Sequence, residues 1–328
     1  MNNFVERFGP WALVTGASSG IGEAFARRLA EVRMNLVLVA RREDRLRKLA
    51  EDLQSQHSVS TRVVPVDLSQ DNFLSVIEQA TADVPVGLLV NNAGIATTGK
   101  FLDNDLGSEL ALLHVNSRAP LILTHHFGRS MRRRGRGGII FVASTVAFAG
   151  VPAMSNYAGS KAQALVLAEG LARELRHDGI AVLALCPGPT RTDLWPAGSD
   201  PGPAMPPRAV VDLALKKLGR TTTVVAGWKN ALTALATRLL PRAWNATLFG
   251  WVVGGMLRGV KPPTPVQPEQ PHTTASNQGQ EALGGAAHAD GPRIRSEDAA
   301  GRSASATDWP AAGVRPQGDR AGPCSLRD

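Results

Sequence analysis

The 328-residue chain is 43% hydrophobic and 20% charged, an ordinary globular balance that supplies the core of one large domain or two smaller ones. Two cysteines, Cys186 and Cys324, exclude a disulfide framework and indicate a reducing, cytoplasmic compartment. The formal net charge of +8 raises nucleic acid and anionic membranes as partners, to be weighed against the pattern along the chain.

Met1 to Pro10 carries charges and no apolar core, so it is not read as a secretory signal. Trp11-Ala12-Leu13-Val14-Thr15 is a short apolar run and reads as a buried strand. A glycine-rich turn follows at once, Thr15-Gly16-Ala17-Ser18-Ser19-Gly20-Ile21-Gly22, and Glu23 to Ala30 has helical character. Strand, glycine turn and helix together mark a dinucleotide cradle. Gly16 permits the tight turn, Gly20 lets backbone approach a pyrophosphate, and Gly22 lets helix pack on strand. Free amides at the helix start then meet the phosphates. Asn35 to Ala40 is a second buried strand. NAD sites usually place an acidic residue at its end, but here stand Ala40, Arg41 and Arg42. A guanidinium grips a 2′-phosphate, so the expected cofactor is NADP(H) in preference to NAD(H). The competing account is that Arg41 and Arg42 only open the charged helix from Glu43 to Leu53.

Thr61 to Val66 is a third strand, ending in Asp67, and Gly87 to Val90 a fourth, ending in Asn91-Asn92-Ala93-Gly94. Strands alternating with helices give a parallel sheet whose ligands gather at the strands' carboxyl ends, where Gly16, Arg41, Asp67 and Asn91 all sit. Asp67 is placed to accept from an adenine amino group. Asn91 either braces the sheet end or faces the cofactor, and a plain turn is the alternative for both. Leu106 to Arg134 reads mainly as helix and contains Asn116, a residue that inside a helix usually points to solvent. The Arg132-Arg133-Arg134-Gly135-Arg136 cluster suits a helix C-terminus, and without interleaved aromatics it excludes a nucleic-acid partner. Seven histidines show no metal-ligand spacing, so no metal is expected, and adjacent His125 and His126 splay apart.

Gly138 to Ala143 is the fifth strand, with Ser144 at its end. Tyr157 and Lys161 then share one face of the next helix, which Leu165, Ala168, Leu171, Ala172 and Leu175 continue. A phenol with a pKa near ~10 is a poor acid or base at neutral pH. An adjacent ammonium favours its phenolate and equips it to pass a proton to or from a carbonyl or alcohol oxygen. Ile180 to Leu185 is the sixth strand, followed by Cys186-Pro187-Gly188-Pro189-Thr190-Arg191-Thr192. Cys186 is expected to pack as a small apolar side chain.

With these motifs in order, the stretch from about Trp11 to Thr192 resembles a single-domain short-chain dehydrogenase/reductase. The matching residues are Thr15-Gly16-xxx-Gly20-x-Gly22, Asp67, Asn91 to Gly94, Asn116, Ser144, Tyr157-xxx-Lys161 and Pro187-Gly188-xxx-Thr192. The resemblance implies a catalytic tetrad of Asn116, Ser144, Tyr157 and Lys161, with Asn116 holding a relay water. It implies an α/β fold, a Rossmann-type doubly wound sheet of about seven parallel strands in the order 3-2-1-4-5-6-7. Cofactor contacts are expected from Gly16, Ser18, Ser19, Gly20, Ile21, Gly22, Arg41, Arg42, Asp67, Asn92, Ala93, Gly94, Tyr157, Lys161, Pro187, Gly188, Thr190 and Thr192. The resemblance also implies homodimers or homotetramers through the long helices. Val37 to Arg45 is similar to NADP-using reductases of long-chain 3-oxoacyl and steroid ketones.

Asp193 to Pro207 is rich in Pro and Gly and reads as a lid or as a passive connection. Val146, Phe148, Trp195 and Met205 favour a lipophilic ketone. Arg208 to Leu218 is a helix and Thr221 to Ala226 the seventh strand. Residues 1–227 thus form the catalytic domain. In 228–260, two tryptophan-bearing amphipathic helices with cationic flanks pack on the domain's own body, cover a substrate channel, join a subunit or lie on an anionic membrane. Residues 261–328 lose every apolar period and read as a disordered tail. The whole reads as an NADP(H)-dependent carbonyl reductase or alcohol dehydrogenase; a non-catalytic nucleotide-binding regulator or scaffold is the alternative.

Overall fold

The computed structural model describes residues 4–192 and 204–256. Seven parallel strands form one sheet in the order β3-β2-β1-β4-β5-β6-β7, as expected. They are β1 (Trp11–Thr15), β2 (Asn35–Ala40), β3 (Thr61–Pro65), β4 (Val86–Asn91), β5 (Gly137–Val142), β6 (Ile180–Cys186) and β7 (Thr223–Val225). Strands buried on both faces need apolar side chains at every position, which explains the unbroken runs. In β1, Ala12 and Val14 face one layer and Leu13 the other; in β2, Leu36 and Leu38 oppose Val37 and Val39. The first layer receives α2 (Gly20–Glu31), α3 (Glu43–His57) and α8 (Pro207–Lys217). The second receives α4 (Phe73–Thr81), α6 (Ala119–Arg134) and α7 (Ser155–Glu174).

Strand order reverses between β1 and β4, which pair side by side although the chain visits β2 and β3 between them. This switch opens a crevice at the carboxyl edge, where the glycine turn after β1 meets Asn91 to Gly94 after β4. Cys186 is fully buried at the end of β6, in the second layer.

Several boundaries differ from the sequence reading. The third strand stops at Pro65, which lacks an amide hydrogen and sits on an edge strand, where proline is tolerated. The seventh strand, on the other edge, shortens to three residues. A short helix α1 (Phe4–Phe8), not anticipated, buries Phe8 against the sheet, with the Arg7 guanidinium 5.0 Å from its ring centroid. The expected long helix from Leu106 is three pieces: α5 (Leu106–Leu113), a π turn (His114–Arg118) and α6. Arg132, Arg133 and Arg134 occupy the last turn of α6 beside its carbonyl ends, as expected, and Gly135 caps it. Beyond β7 come α9 (Trp228–Leu239) and α10 (Arg242–Met256). Most of the proposed lid and the 261–328 tail lie outside the described residues. Among the described residues no helix is long and apolar enough to cross a membrane.

Candidate active site

The crevice is a cavity of about 1290 Å³ whose lining includes Gly16, Ser18, Ser19, Gly20 and Ile21. Gly16 has a positive φ of 67°, which costs glycine little, and a Cβ there would stand 2.8 Å from Asn92 Nδ2. A Cβ on Gly22 would overlap the Gly16 carbonyl oxygen, so glycine at 22 is what lets α2 start against the turn. The turn is stitched to β4 by Thr15, a residue the motif reading quoted without a role. Its hydroxyl donates to Val90 O at 3.2 Å and accepts from the amides of Asn92 and Ala93, each at 3.0 Å. Asn92 Nδ2 donates back to Thr15 O at 2.9 Å. A hydroxyl directly before the glycine turn was the available signal. Gly20 and Ile21, which open α2, line the cavity, and the free amides of a helix's first turn are a site for anions.

Ser19 precedes α2 but makes no capping bond with its side chain. Instead Arg42 Nη2 donates to Ser19 Oγ at 2.8 Å and to Ser18 Oγ at 3.1 Å. All three residues line the cavity, as do Arg41 and Asp67. This guanidinium with two hydroxyls fits a phosphate monoester at the end of β2. The absent carboxylate there fits the same group. Arg41 is exposed, with Nη1 3.9 Å from Asp67 Oδ2, while Asp67 Oδ1 accepts from the Ser69 amide at 2.9 Å. Asn91 settles as a brace: it is buried, and its Nδ2 donates to Thr124 Oγ1 at 3.0 Å.

Tyr157 and Lys161 sit on the first two turns of α7, both buried. Ser144, two residues past the end of β5, accepts from the Val146 amide at 3.3 Å and lines the cavity together with Tyr157 and Lys161. Lys161 Nζ donates to Val142 O at 2.9 Å and lies 5.7 Å from the Tyr157 ring centroid. The expectation that lysine would lower the tyrosine is not met by the protein's own groups. Burial dominates and pushes the phenol up to about 12, against a smaller lowering from Ser144. Burial likewise pushes Lys161 down to about 8. At neutral pH the site therefore holds a protonated phenol beside a lysine poised near its own titration.

Asn116 corrects a second expectation. It is buried rather than solvated, because it stands on the π turn, a local widening that often marks functional sites. Its Oδ1 accepts from the Ile95 amide at 2.9 Å, and its Nδ2 donates to Ile95 O at 2.9 Å and Ser160 Oγ at 3.0 Å. It is not among the cavity-lining residues, but its Oδ1 and Lys161 Nζ would lie 3.4 Å and 3.2 Å from a Cβ on Gly94. Asn116 thus stands one layer behind the lysine.

A buried carboxylate that the sequence reading missed steadies the start of α7. Glu109, on α5, accepts from Asn104 Nδ2 at 2.7 Å and from Asn156 Nδ2 at 2.6 Å, next to Tyr157. No sequence motif flagged it, since its partners are set by tertiary packing. Glu109→Ala leaves both amides without this acceptor and should cost about 1–3 kcal/mol in urea unfolding.

The short chain dehydrogenase family model matches residues 10–200. The chain is 32% identical over 236 residues to 7beta-hydroxysteroid dehydrogenase of Collinsella aerofaciens, covering 70% of this chain and 90% of that protein. This protein is a short-chain dehydrogenase. A solved structure on 7beta-hydroxysteroid dehydrogenase stereoselectivity aligns with TM-score 0.71 and 30% identity over 76% of this chain and 100% of that one. The short-chain dehydrogenase from Sphingobium yanoikuyae in complex with NADPH aligns with TM-score 0.64 and 32% identity, covering 80% of this chain and 98% of that one. The family places this dehydrogenase among oxidoreductases that interconvert CH–OH and C=O groups.

The cofactor residues read from sequence converge in this dehydrogenase: Asn92, Ala93, Gly94, Pro187, Gly188, Thr190 and Thr192 line the same cavity as Tyr157 and Lys161. Gly22 does not line it and acts through packing. Val146 and Met205 line the cavity, whereas Phe148 packs against the second core layer. Trp195 lies outside the described residues. The dehydrogenase gains lining that the motifs did not name, from Met154 on the approach to α7, Trp228, Thr233 and Ala234 of α9, and Phe249 of α10. Among the described residues no group of His, Cys, Asp and Glu is arranged to hold a metal ion.

Proposed function

We propose that this dehydrogenase reduces a lipophilic ketone to a secondary alcohol with NADPH, and runs the reverse oxidation with NADP. The carrying observation is the meeting of Ser144, Tyr157 and Lys161 in one cavity with the Arg42, Ser18 and Ser19 cluster. NADPH, when bound, supplies the hydride that adds to the carbonyl carbon. Tyr157 then gives its phenolic proton to the carbonyl oxygen, and Ser144 steadies the charge developing there. Lys161 stabilises the phenolate left behind, and Asn116 holds the proton relay behind it. A tyrosine held near 12 is protonated at neutral pH, so it enters ketone reduction as the proton donor.

Val146, Met154, Met205, Ala234 and Phe249 give the substrate end an apolar wall suited to a steroid or long acyl ketone. The names of the relatives support that class. A screen of NADPH oxidation over steroid, acyl and aromatic ketones tests it; turnover confined to small polar ketones would sink it. The alternative, a non-catalytic nucleotide-binding regulator, is disfavoured by the presence of all four tetrad residues.

Arg42 carries the NADP preference. Arg42→Ala should weaken NADP binding by roughly 10- to 100-fold, the worth of charge-assisted bonds, and leave NAD binding unchanged in a fluorescence titration. Equal losses for the two cofactors would refute the 2′-phosphate role. Exposed Leu106, Leu110, Leu113, Leu121 and Val166 on α5 to α7 support a homodimer or homotetramer through those helices. Cysteine usage supports a cytoplasmic setting.

A further inference from the structure

The helices α9 and α10 show a pattern that catalysis does not use. On α9, Trp228, Leu232 and Leu235 recur at helical spacing and are 70%, 57% and 55% exposed. On α10, Trp244, Leu248 and Trp251 repeat that spacing and are 68%, 48% and 80% exposed. Each set falls on one helix face. The inner faces are fixed to the body: Ala234, Thr237, Asn245 and Phe249 are buried. Asn245 Nδ2 donates to Thr237 O at 2.7 Å and ties the two helices together. Leucines and tryptophans are therefore held outward by packed inner faces, and monomeric soluble proteins rarely leave such an apolar set in water.

Charge decides what covers them. Between Asp212 and Glu269 the sequence contains no acidic residue, while Lys229, Arg238, Arg242, Arg258 and Lys261 all fall there. Lys229 Nζ stands 5.6 Å from the Trp228 ring centroid, so a cation accompanies the apolar stripe. A second copy on this face would bring the same basic, acid-free stretch of sequence against itself. Residues 261–328 carry no apolar period with which to cover it. Tryptophan and leucine on the exposed face, within a stretch of sequence that is basic and free of acidic residues, match the boundary of an anionic bilayer.

We propose that α9 and α10 form a docking face for the surface of an anionic lipid bilayer. Trp228 belongs both to the exposed stripe and to the cavity lining, so docking brings the substrate end of the cavity to the lipid. Apolar substrate then passes from bilayer to site without crossing water. Only this delivery step rests on the function proposed above; attachment does not.

The test is sedimentation of the full chain with sucrose-loaded vesicles of phosphatidylcholine, alone or mixed with phosphatidylglycerol. Pelleting is expected with the anionic vesicles and is expected to weaken in high salt. The double variant Trp244→Ser/Trp251→Ser, which spares the cavity lining, should lose on the order of tenfold in vesicle partitioning, with NADP affinity and melting temperature unchanged. Light scattering of both proteins accompanies it. Failure of the native chain to pellet, equal pelleting of the variant, or a changed oligomeric state in the variant without loss of pelleting would each overturn the docking face. Tyr157→Phe should pellet as the native chain does, which separates attachment from reduction.

Discussion

Tyr157→Phe is expected to lower ketone reduction by on the order of 10²- to 10⁴-fold while leaving NADP binding intact. The substitution removes only the hydroxyl. The ring keeps its place among Leu112, Val151, Met154, Ala158 and Phe249, so packing volume and fold are preserved. The transferable proton beside Ser144 is lost. Initial rates with a ketone identified in the screen and a cofactor fluorescence titration measure the two effects separately. Substantial remaining turnover would reject Tyr157 as the proton donor, and lost NADP binding would make its role structural.

Much of this site was legible because its chemistry is tied to short-range patterns. The glycine turn, Asn92 to Gly94, Tyr157 with Lys161, and Pro187 to Thr192 each lie where a β strand ends or a helix begins, so local sequence fixes both residue and placement. The parallel sheet was legible for a related reason: strands buried on both faces show as continuous apolar runs. Asn116 was harder, since a π turn leaves no periodic signature and a helical asparagine ordinarily faces water. Glu109 was invisible, because its two amide partners come together only in the folded chain. The direction of the tyrosine's shift was also beyond the sequence. Helical spacing puts the ammonium near the phenol, but the depth of burial sets which effect wins. The cavity-lining residues of α9 and α10 were read as a cover only among other choices, because an amphipathic stripe does not reveal which neighbour receives its inner face.

Lys161→Met should separate the lysine's charge from its packing. Burial holds this ammonium near 8 against an unperturbed 10.5, so the folded protein favours the neutral amine. The sign follows: the folding cost of charging Lys161 is fully present below about pH 8, shrinks as pH rises, and vanishes above about 10.5. From that depression the cost is on the order of 3 kcal/mol at pH 7, partly offset by the bond to Val142 O. The methionine variant should therefore be more stable than the native chain at pH 7 in urea unfolding, with the gain fading toward alkaline pH. Its reduction rate should nevertheless fall by on the order of 10²- to 10³-fold, because the phenolate left when Tyr157 gives up its proton loses its nearest positive charge. In the native chain, reduction should decline as pH rises through about 8, where Lys161 loses its charge. Oxidation of the alcohol begins from the phenolate, so its rate should lean toward higher pH. The variant should show no decline in reduction near 8. A decline that survives in Lys161→Met would assign that titration to another group, and a variant less stable than the native chain at pH 7 would show that the bond to Val142 outweighs the burial of the charge.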